Sequence, residues 1–243
     1  MNHPVAIITG SAQRIGKALA QALHAQGYNL VLHYFNTSAA PLADTLNALR
    51  PNSVTLIQAD LNNPDASAKI IEHAINIFKQ IDVLVNNASS FYPTPIGAAT
   101  QQNWHDLFNT NAAAPFFLCQ AAAPFLALQK GCIINIADIY AQTPKRNHTL
   151  YCMAKAANTM LTKSLAIELA PNIRVNGIAP GAALWPNNQP PQNEESALAE
   201  IPLGRVGGAQ AMVETILFLI NSATYITGQI IPVDGGKSVA GIA

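Results

Sequence analysis

The sequence predicts an α/β fold: a single doubly wound parallel sheet of about seven strands, flanked by helices on both faces. Three observations carry this expectation. Short apolar runs alternate with helical patterns along the whole chain. The first run, PVAIIT at 4–9, stops at Gly10 and is followed by a glycine-containing turn that opens a helix. That strand–turn–helix order brings backbone N–H groups and a positive helix end around a phosphate, as in a Rossmann-type sheet. The strands also read as unbroken apolar stretches, which suits burial on both faces of a parallel sheet.

Each element follows in order. Residues 10–16, GSAQRIG, form the turn, and KALAQALHAQ forms a helix that stops at Gly27. NLVLH at 29–33 is the second strand, and a helix spans 39–49. SVTLIQAD is the third strand and ends at Asp60 and Leu61; Pro64 then opens a helix running to Lys79, in keeping with its preference for a first turn. The fourth strand, 82–86, leads into the polar loop NNASSFYPTP. The helix at 101–128 is apolar nearly all round, which implies burial on more than one side, and Pro115 and Pro124 should bend it. CIINIA at 132–137 is the fifth strand and delivers Asp138 at its carboxyl end, where parallel sheets bind ligands. A helix at 149–170 carries Tyr151 and Lys155. Strand 173–178, helix 209–220 and strand 229–233 complete the chain. The stretch PNNQPPQNEES at 186–196 is the most polar and proline-rich, and reads as a mobile loop over the site, spanning 184–200.

Composition narrows the function. At 243 residues the chain fits one domain, 1–243, since such domains run to ~200–250 residues. Half the residues are hydrophobic and 11% are charged, enough for a large core. Thirteen basic and 13 acidic residues balance, which gives no footprint for nucleic acid or an anionic membrane. Cys119, Cys132 and Cys152 form no C-x-x-C pair, which suits reduced thiols in a cytoplasm. The first strand begins at Pro4 and leaves no room for a signal peptide, and no uninterrupted apolar run reaches the ~18 residues of a membrane span. The six histidines show no metal-ligand spacing.

Tyr151 and Lys155 stand four apart on a helix and so share a face. The Lys155 ammonium is expected to lower the phenol from its ordinary pKa near ~10 and fit it for acid–base chemistry. Such pairs are commonly solvated helix surface, so the rest of the chain decides. The second strand closes on His33, followed by Tyr34, Phe35, Asn36 and Thr37, with no carboxylate until Asp44. Nothing there repels a 2′-phosphate, and Arg14, His33 and the small polar residues can bind one, which points to NADPH rather than NADH. Arg14 on the first helical turn is disfavoured by the helix dipole, which suggests an anionic partner.

Placed in order, these segments resemble the short-chain dehydrogenase/reductase family over essentially all 243 residues. TGSAQRIG, Asp60, NNAS, Asn111 in NTN, Tyr151-x-x-x-Lys155, IRVNGIAPG and VDGG appear in family order. The resemblance implies that Gly10, Arg14, Ile15 and Gly16 line the pyrophosphate, Asp60 and Leu61 meet the adenine, and Asn87 and Ala88 the adenine ribose. It implies that Asn111 anchors a proton-relay water, Lys155 the nicotinamide ribose, and that Pro180 and Gly181 border the nicotinamide.

Two departures sharpen it. Arg14 replaces the usual middle glycine, and Asp138 replaces the serine that most members place beside a substrate carbonyl. An ionised aspartate would repel the oxyanion of ketone reduction, whereas a C=N acceptor needs a proton that Asp138 can relay through Tyr151. With NNASSFYPTP, these features resemble the pteridine reductase branch, which reduces dihydropterins and, in some members, oxidised pterins and folates with NADPH. There the equivalents of Asp138, Tyr151 and Lys155 are catalytic, that of Phe91 stacks on the pterin, and those of Ser89 and Arg14 contact cofactor phosphates and pterin. Leu184 and Trp185 stand near the pocket at the head of the loop, with Trp185 either walling the pocket or packing the loop. Asn36 departs from the basic residue often found there, and Ala183 from a serine. The resemblance also implies a homotetramer. Two rival expectations remain: a reductase of another substrate such as a 3-oxoacyl thioester, and a non-catalytic NADPH-binding sensor.

Overall fold

The computed structural model describes residues 3–183 and 193–240. Seven strands form one parallel sheet in the order β3-β2-β1-β4-β5-β6-β7. They are β1 (Val5–Ile8), β2 (Asn29–Tyr34), β3 (Val54–Gln58), β4 (Val83–Asn86), β5 (Cys132–Ile136), β6 (Arg174–Pro180) and β7 (Ile230–Val233). The chain winds outward through β2 and β3, then returns to place β4 on the other side of β1, with Ile8 opposite Val85. Ligands of such sheets bind at this reversal, outside the carboxyl ends of the strands.

Alternation along β1 shows how the core divides. Ala6 and Ile8 face one hydrophobic cluster, with Leu19 and Leu23 of α1 (Arg14–Ala25), Leu42 and Leu46 of α2 (Ala40–Leu49), and Met212 and Ile216 of a helix near the end of the chain. Val5 and Ile7 face the other, with Ile70 and Ala74 of α3 (Ala66–Phe78) and the apolar helix after β4. All four β1 residues are at most 1% exposed, so only apolar side chains fit there.

The structure corrects several expected boundaries. Pro64 sits in a turn ahead of α3 rather than in its first turn. The long helix after β4 runs through Gln101–Gln129, but in three parts: α4 (Gln101–Phe108), a π-helical turn (Asn109–Ala113) and α5 (Ala114–Gln129). It is long and apolar enough to cross a membrane by length and composition alone; within the fold, Leu118, Cys119, Ala122 and Leu126 of α5 pack into the second cluster. The break precedes Pro115, which has no N–H to return to the Asn111 carbonyl in the ordinary helical register. After α6 (Thr149–Glu168) and β6, residues 193–200 are not loop throughout: α7 (Glu194–Ala199) starts where the Asn193 side chain accepts from the Ser196 N–H. α8 (Gly208–Asn221) precedes β7. Leu184, Trp185 and the loop residues up to 192 lie outside the described residues.

Candidate active site

The turn after β1 is built for close approach. Gly10 adopts φ +63°, and a Cβ there would meet the Ala88 Cα at 2.9 Å. A Cβ on Gly16 would meet the Gly10 carbonyl at 2.3 Å and the Asn87 side chain at 2.7 Å. Glycine at both positions is therefore a packing requirement. Thr9 and Asn87 lace the turn to the end of β4. The Asn87 amide donates to the Thr9 and Gly10 carbonyls at 2.8 and 2.9 Å. Thr9 Oγ1 accepts from the Asn87 and Ala88 backbone N–H groups, both at 3.0 Å. Arg14 takes φ +53°, a left-handed conformation that costs a non-glycine residue of order 1 kcal/mol. Arg14 therefore keeps its guanidinium at the expense of backbone strain.

His33 has a different part from the one expected. Its ring is 1% exposed. The Gly10 N–H donates to Nδ1 at 3.3 Å, which leaves the proton on Nε2 to be donated to the Ala59 carbonyl at 3.1 Å. Burial lowers its pKa, so the ring is neutral. His33 thus holds the turn against the end of β3 and offers no cation to a 2′-phosphate. Tyr34 is half-buried, while Asn36, Thr37 and Ser38 are exposed just beyond β2. Among the described residues, no carboxylate stands between Tyr34 and Asp44.

At the far side of β3, Gln58, Ala59, Asp60, Asn63, Ala66 and Lys69 line a cavity of about 190 Å³. The Asp60 carboxylate accepts from the Asn62 N–H at 2.9 Å and so shapes its mouth, with Leu61 partly buried beside it. The glycine cradle, the exposed polar residues after β2 and this cavity follow one edge of the sheet in the sequence a dinucleotide would need. The residues present fit a nicotinamide dinucleotide.

The reactive groups gather beyond β5. Asp138 is the N-cap of a short helical turn, Ile139–Ala141, and its Oδ1 accepts from the Tyr140 N–H at 2.8 Å. Its Oδ2 accepts a 2.6 Å bond from the Tyr151 hydroxyl, an aspartate–phenol pair made by two residues 13 apart in sequence. Burial raises the Asp138 pKa; the bonds from Tyr151 and Tyr140 and the charges of Lys155 and Lys145 oppose that rise. Tyr151 is 4% exposed. Its phenol is pushed well above its ordinary value, by burial first and then by the charge and hydrogen bond of Asp138. The expectation that Lys155 lowers it is corrected. The Lys155 ammonium lies 5.8 Å from the Tyr151 ring centroid and donates to the Ile136 carbonyl at 2.8 Å. Its own pKa is lowered to about 8 by burial, with the Asp138 charge opposing.

Ser89 and Asn111 stand beside this pair. Ser89 Oγ donates to Asn111 Oδ1 at 2.6 Å, and the Ser89 hydroxyl, close to the Tyr151 phenol, works against the rise in its pKa. The Asn111 amide donates to the Ser90 and Leu107 carbonyls, both at 2.9 Å. Its own carbonyl, left over by Pro115, accepts from Asn158 Nδ2 at 3.0 Å. Asn158 was not singled out from sequence; a polar residue on the inner face of α6, seven after Tyr151, was the available signal. Phe91 is 48% exposed. One face stacks on His148 with ring centroids 4.8 Å apart, and Phe91 and Tyr151 meet edge-on at 4.7 Å. Pro180 and Gly181 close the rim at the end of β6, where the Gly181 N–H donates to the Val233 carbonyl at 3.1 Å. Ile15 is partly buried against the first core cluster.

A glycine cradle at the sheet reversal, with a tyrosine–lysine pair beyond the next strands, defines a nicotinamide-dependent oxidoreductase of the short-chain type. The chain belongs to the short-chain dehydrogenase/reductase family: a family model described as enoyl-(acyl carrier protein) reductase matches residues 10–238. Pteridine reductase 1 of Leishmania tarentolae is 39% identical, covering 97% of this chain and 96% of that protein. The uncharacterized oxidoreductase YmfI of Bacillus subtilis is 36% identical over 96% of this chain and 98% of its own. A 3-oxoacyl-(acyl-carrier-protein) reductase, FabG of Staphylococcus aureus, is 33% identical over 95% and 96%.

Proposed function

We propose that the protein is an NADPH-dependent reductase of pteridines, taking dihydropterins or dihydrofolate to the tetrahydro form. The observation that carries this reading is the 2.6 Å bond between Tyr151 and Asp138. An anionic carboxylate in that place works against a developing oxyanion, but a phenol that keeps its proton beside a carboxyl group suits a nitrogen that must gain one. NADPH, when bound, supplies the hydride to the imine carbon. Tyr151 gives its proton to the neighbouring nitrogen, and Asp138, whose raised pKa favours uptake of a proton from solvent, passes one to Tyr151 through the bond they share. The hydride and the proton together convert C=N to CH–NH. Phe91 offers its open face to the pterin ring, where positioning contributes several kcal/mol. Lys155 would offer its buried ammonium to the nicotinamide ribose, and Arg14, on the turn, would hold cofactor phosphates and pterin. The exposed residues after β2 and the lack of a carboxylate there support NADPH over NADH. The relative named pteridine reductase 1 adds weight.

Phe116 and Phe117 on α5, with Met153, Met160 and Ile167 on α6, leave an apolar surface that other copies would cover in a homotetramer. The buried, unpaired cysteines suit the reducing cytoplasm. The second reading, a reductase of 3-oxoacyl thioesters, draws on the FabG relative. Asp138 weighs against it. NADPH oxidation followed with dihydrobiopterin, dihydrofolate and an acetoacetyl thioester separates the two. Turnover of the pterins is expected. Turnover of the thioester alone would overturn the proposal.

A further inference from the structure

The turn between β5 and α6 carries two adjacent cations, Lys145 and Arg146, both exposed. In a chain where only 11% of residues are charged, this is a local concentration of positive charge. The turn is anchored on the reactive groups. The Lys145 N–H reaches the Sγ of Cys152, next to Tyr151, at 3.5 Å, and the His148 N–H donates to the Lys145 carbonyl at 3.2 Å. The Asn147 carbonyl accepts from the Thr94 N–H at 2.6 Å, which ties the turn to the loop bearing Phe91. His148, whose Nδ1 bonds the Arg146 carbonyl at 2.8 Å, is the residue on which Phe91 stacks. The Lys145 ammonium lies 5.1 Å from the Tyr140 ring centroid, and Tyr140 is the residue whose N–H donates to Asp138.

The charge of Lys145 opposes the rise in the Asp138 pKa and helps to lower that of Glu200, but it forms an ion pair with neither. Asp138 is directed to Tyr151 and Tyr140. Glu200 is bonded to Lys237 at 2.7 Å. The two ion pairs among the described residues are Lys69–Asp65 and Lys237–Glu200, and Lys145 is in neither. An exposed ammonium therefore stands near the reactive groups, over the Tyr140 ring and three residues before the His148 of the aromatic stack.

We propose that Lys145, with Arg146 beside it, selects substrates that carry a carboxylate tail beyond the pterin ring, so that folate-type substrates are favoured over unconjugated pterins. This rests on the pteridine reading of the site. The ring lies on Phe91, and a tail leaving its far edge passes the 145–146 turn. An anion there gains an attraction that is solvent-screened and worth roughly a few-fold per charge at low salt.

The test compares dihydrofolate with dihydrobiopterin in the wild type and in Lys145→Glu and Lys145→Gln/Arg146→Gln variants. The readout is the ratio of the two kcat/KM values. Any effect of the lost charge on Asp138 or on folding is common to both substrates and cancels in the ratio. The ratio is expected to fall roughly five- to tenfold in both variants, through the KM for dihydrofolate, and the wild-type ratio is expected to fall as salt rises. A ratio unchanged by charge reversal and by salt overturns the inference while leaving the pteridine reading intact. A wild type that reduces neither pterin removes both.

Discussion

Replacing Asp138 with asparagine is the most direct perturbation of the proposed chemistry. Asp138 accepts two bonds with two oxygens, from the Tyr140 N–H at 2.8 Å and the Tyr151 hydroxyl at 2.6 Å. Asparagine has one oxygen. If that oxygen stays on Tyr140, which preserves the turn, the amide NH₂ faces the Tyr151 oxygen and donates to it. Tyr151 then loses its acceptor, and the site loses the group that would replenish its proton. A charge-assisted bond of this kind contributes about 1.5–3 kcal/mol, and positioned proton transfer contributes about 100- to 10,000-fold. We expect kcat/KM for dihydrobiopterin to drop about 100- to 1000-fold, or roughly 3–4 kcal/mol on the barrier, with NADPH affinity changed less than about twofold. The pH profile should also move. Burial raises the Tyr151 pKa first, and the charge and bond of Asp138 raise it further. Asparagine removes the last two, so the alkaline limb of kcat shifts to lower pH. Steady-state NADPH oxidation against pH, with fluorescence titration of NADPH, measures both quantities. Turnover within about threefold of wild type would take Asp138 out of the mechanism.

Other outcomes follow from the same geometry. Lys155 is buried with its pKa lowered to about 8, against 10.5 when exposed, so the ligand-free fold carries a cost of about 3 kcal/mol below pH 8 that disappears as pH rises towards 10.5. Lys155→Met should abolish turnover yet raise the ligand-free Tm by a few degrees at pH 7, after the lost bond to the Ile136 carbonyl is subtracted, and this advantage should shrink between pH 8 and 10.5 in paired thermal scans. Asn158→Ala leaves the Asn111 carbonyl unpaired and should cost about 1–3 kcal/mol in denaturant unfolding; adding Pro115→Ala, which supplies an N–H to that carbonyl, should recover part of the loss. Arg14→Gly relieves the positive φ and should stabilise the fold by up to about 1 kcal/mol while weakening NADPH binding, read by chemical denaturation and titration.

Much of this was legible in the sequence because period and chain order carry it. The seven strands, the glycine turn and the helical spacing of Tyr151 and Lys155 are local patterns, and the sheet forms them where the patterns fall. What escaped depends on partners distant in the chain. His33 reads as a phosphate ligand by position, but its ring is claimed by Gly10 and Ala59, residues that only the folded sheet brings to it. Pro115 signalled a bend; the form of the bend, a π-helical turn ahead of it, depends on Asn158 some 40 positions later being there to take the spare carbonyl. The phenol of Tyr151 was expected to be lowered by its helical neighbour and is raised, because the fold buries it and sets Asp138, from another element, against its oxygen. The polar segment near 194 showed no apolar stripe, yet a cap and six residues suffice for a helix there.

The Tyr151–Asp138 bond also gives the reaction a preferred heading. A dehydrogenase working towards oxidation needs a tyrosine that has already shed its proton, ready to take one from an alcohol or amine. Here burial and a neighbouring carboxylate make the phenolate scarce at neutral pH. The resting protein stands loaded as an acid, and the form able to run the reverse step is the rare one. The overall equilibrium is untouched, since no catalyst can move it. In reduction, each turnover starts from the abundant state of the site, whereas oxidation must wait for an uncommon ionisation.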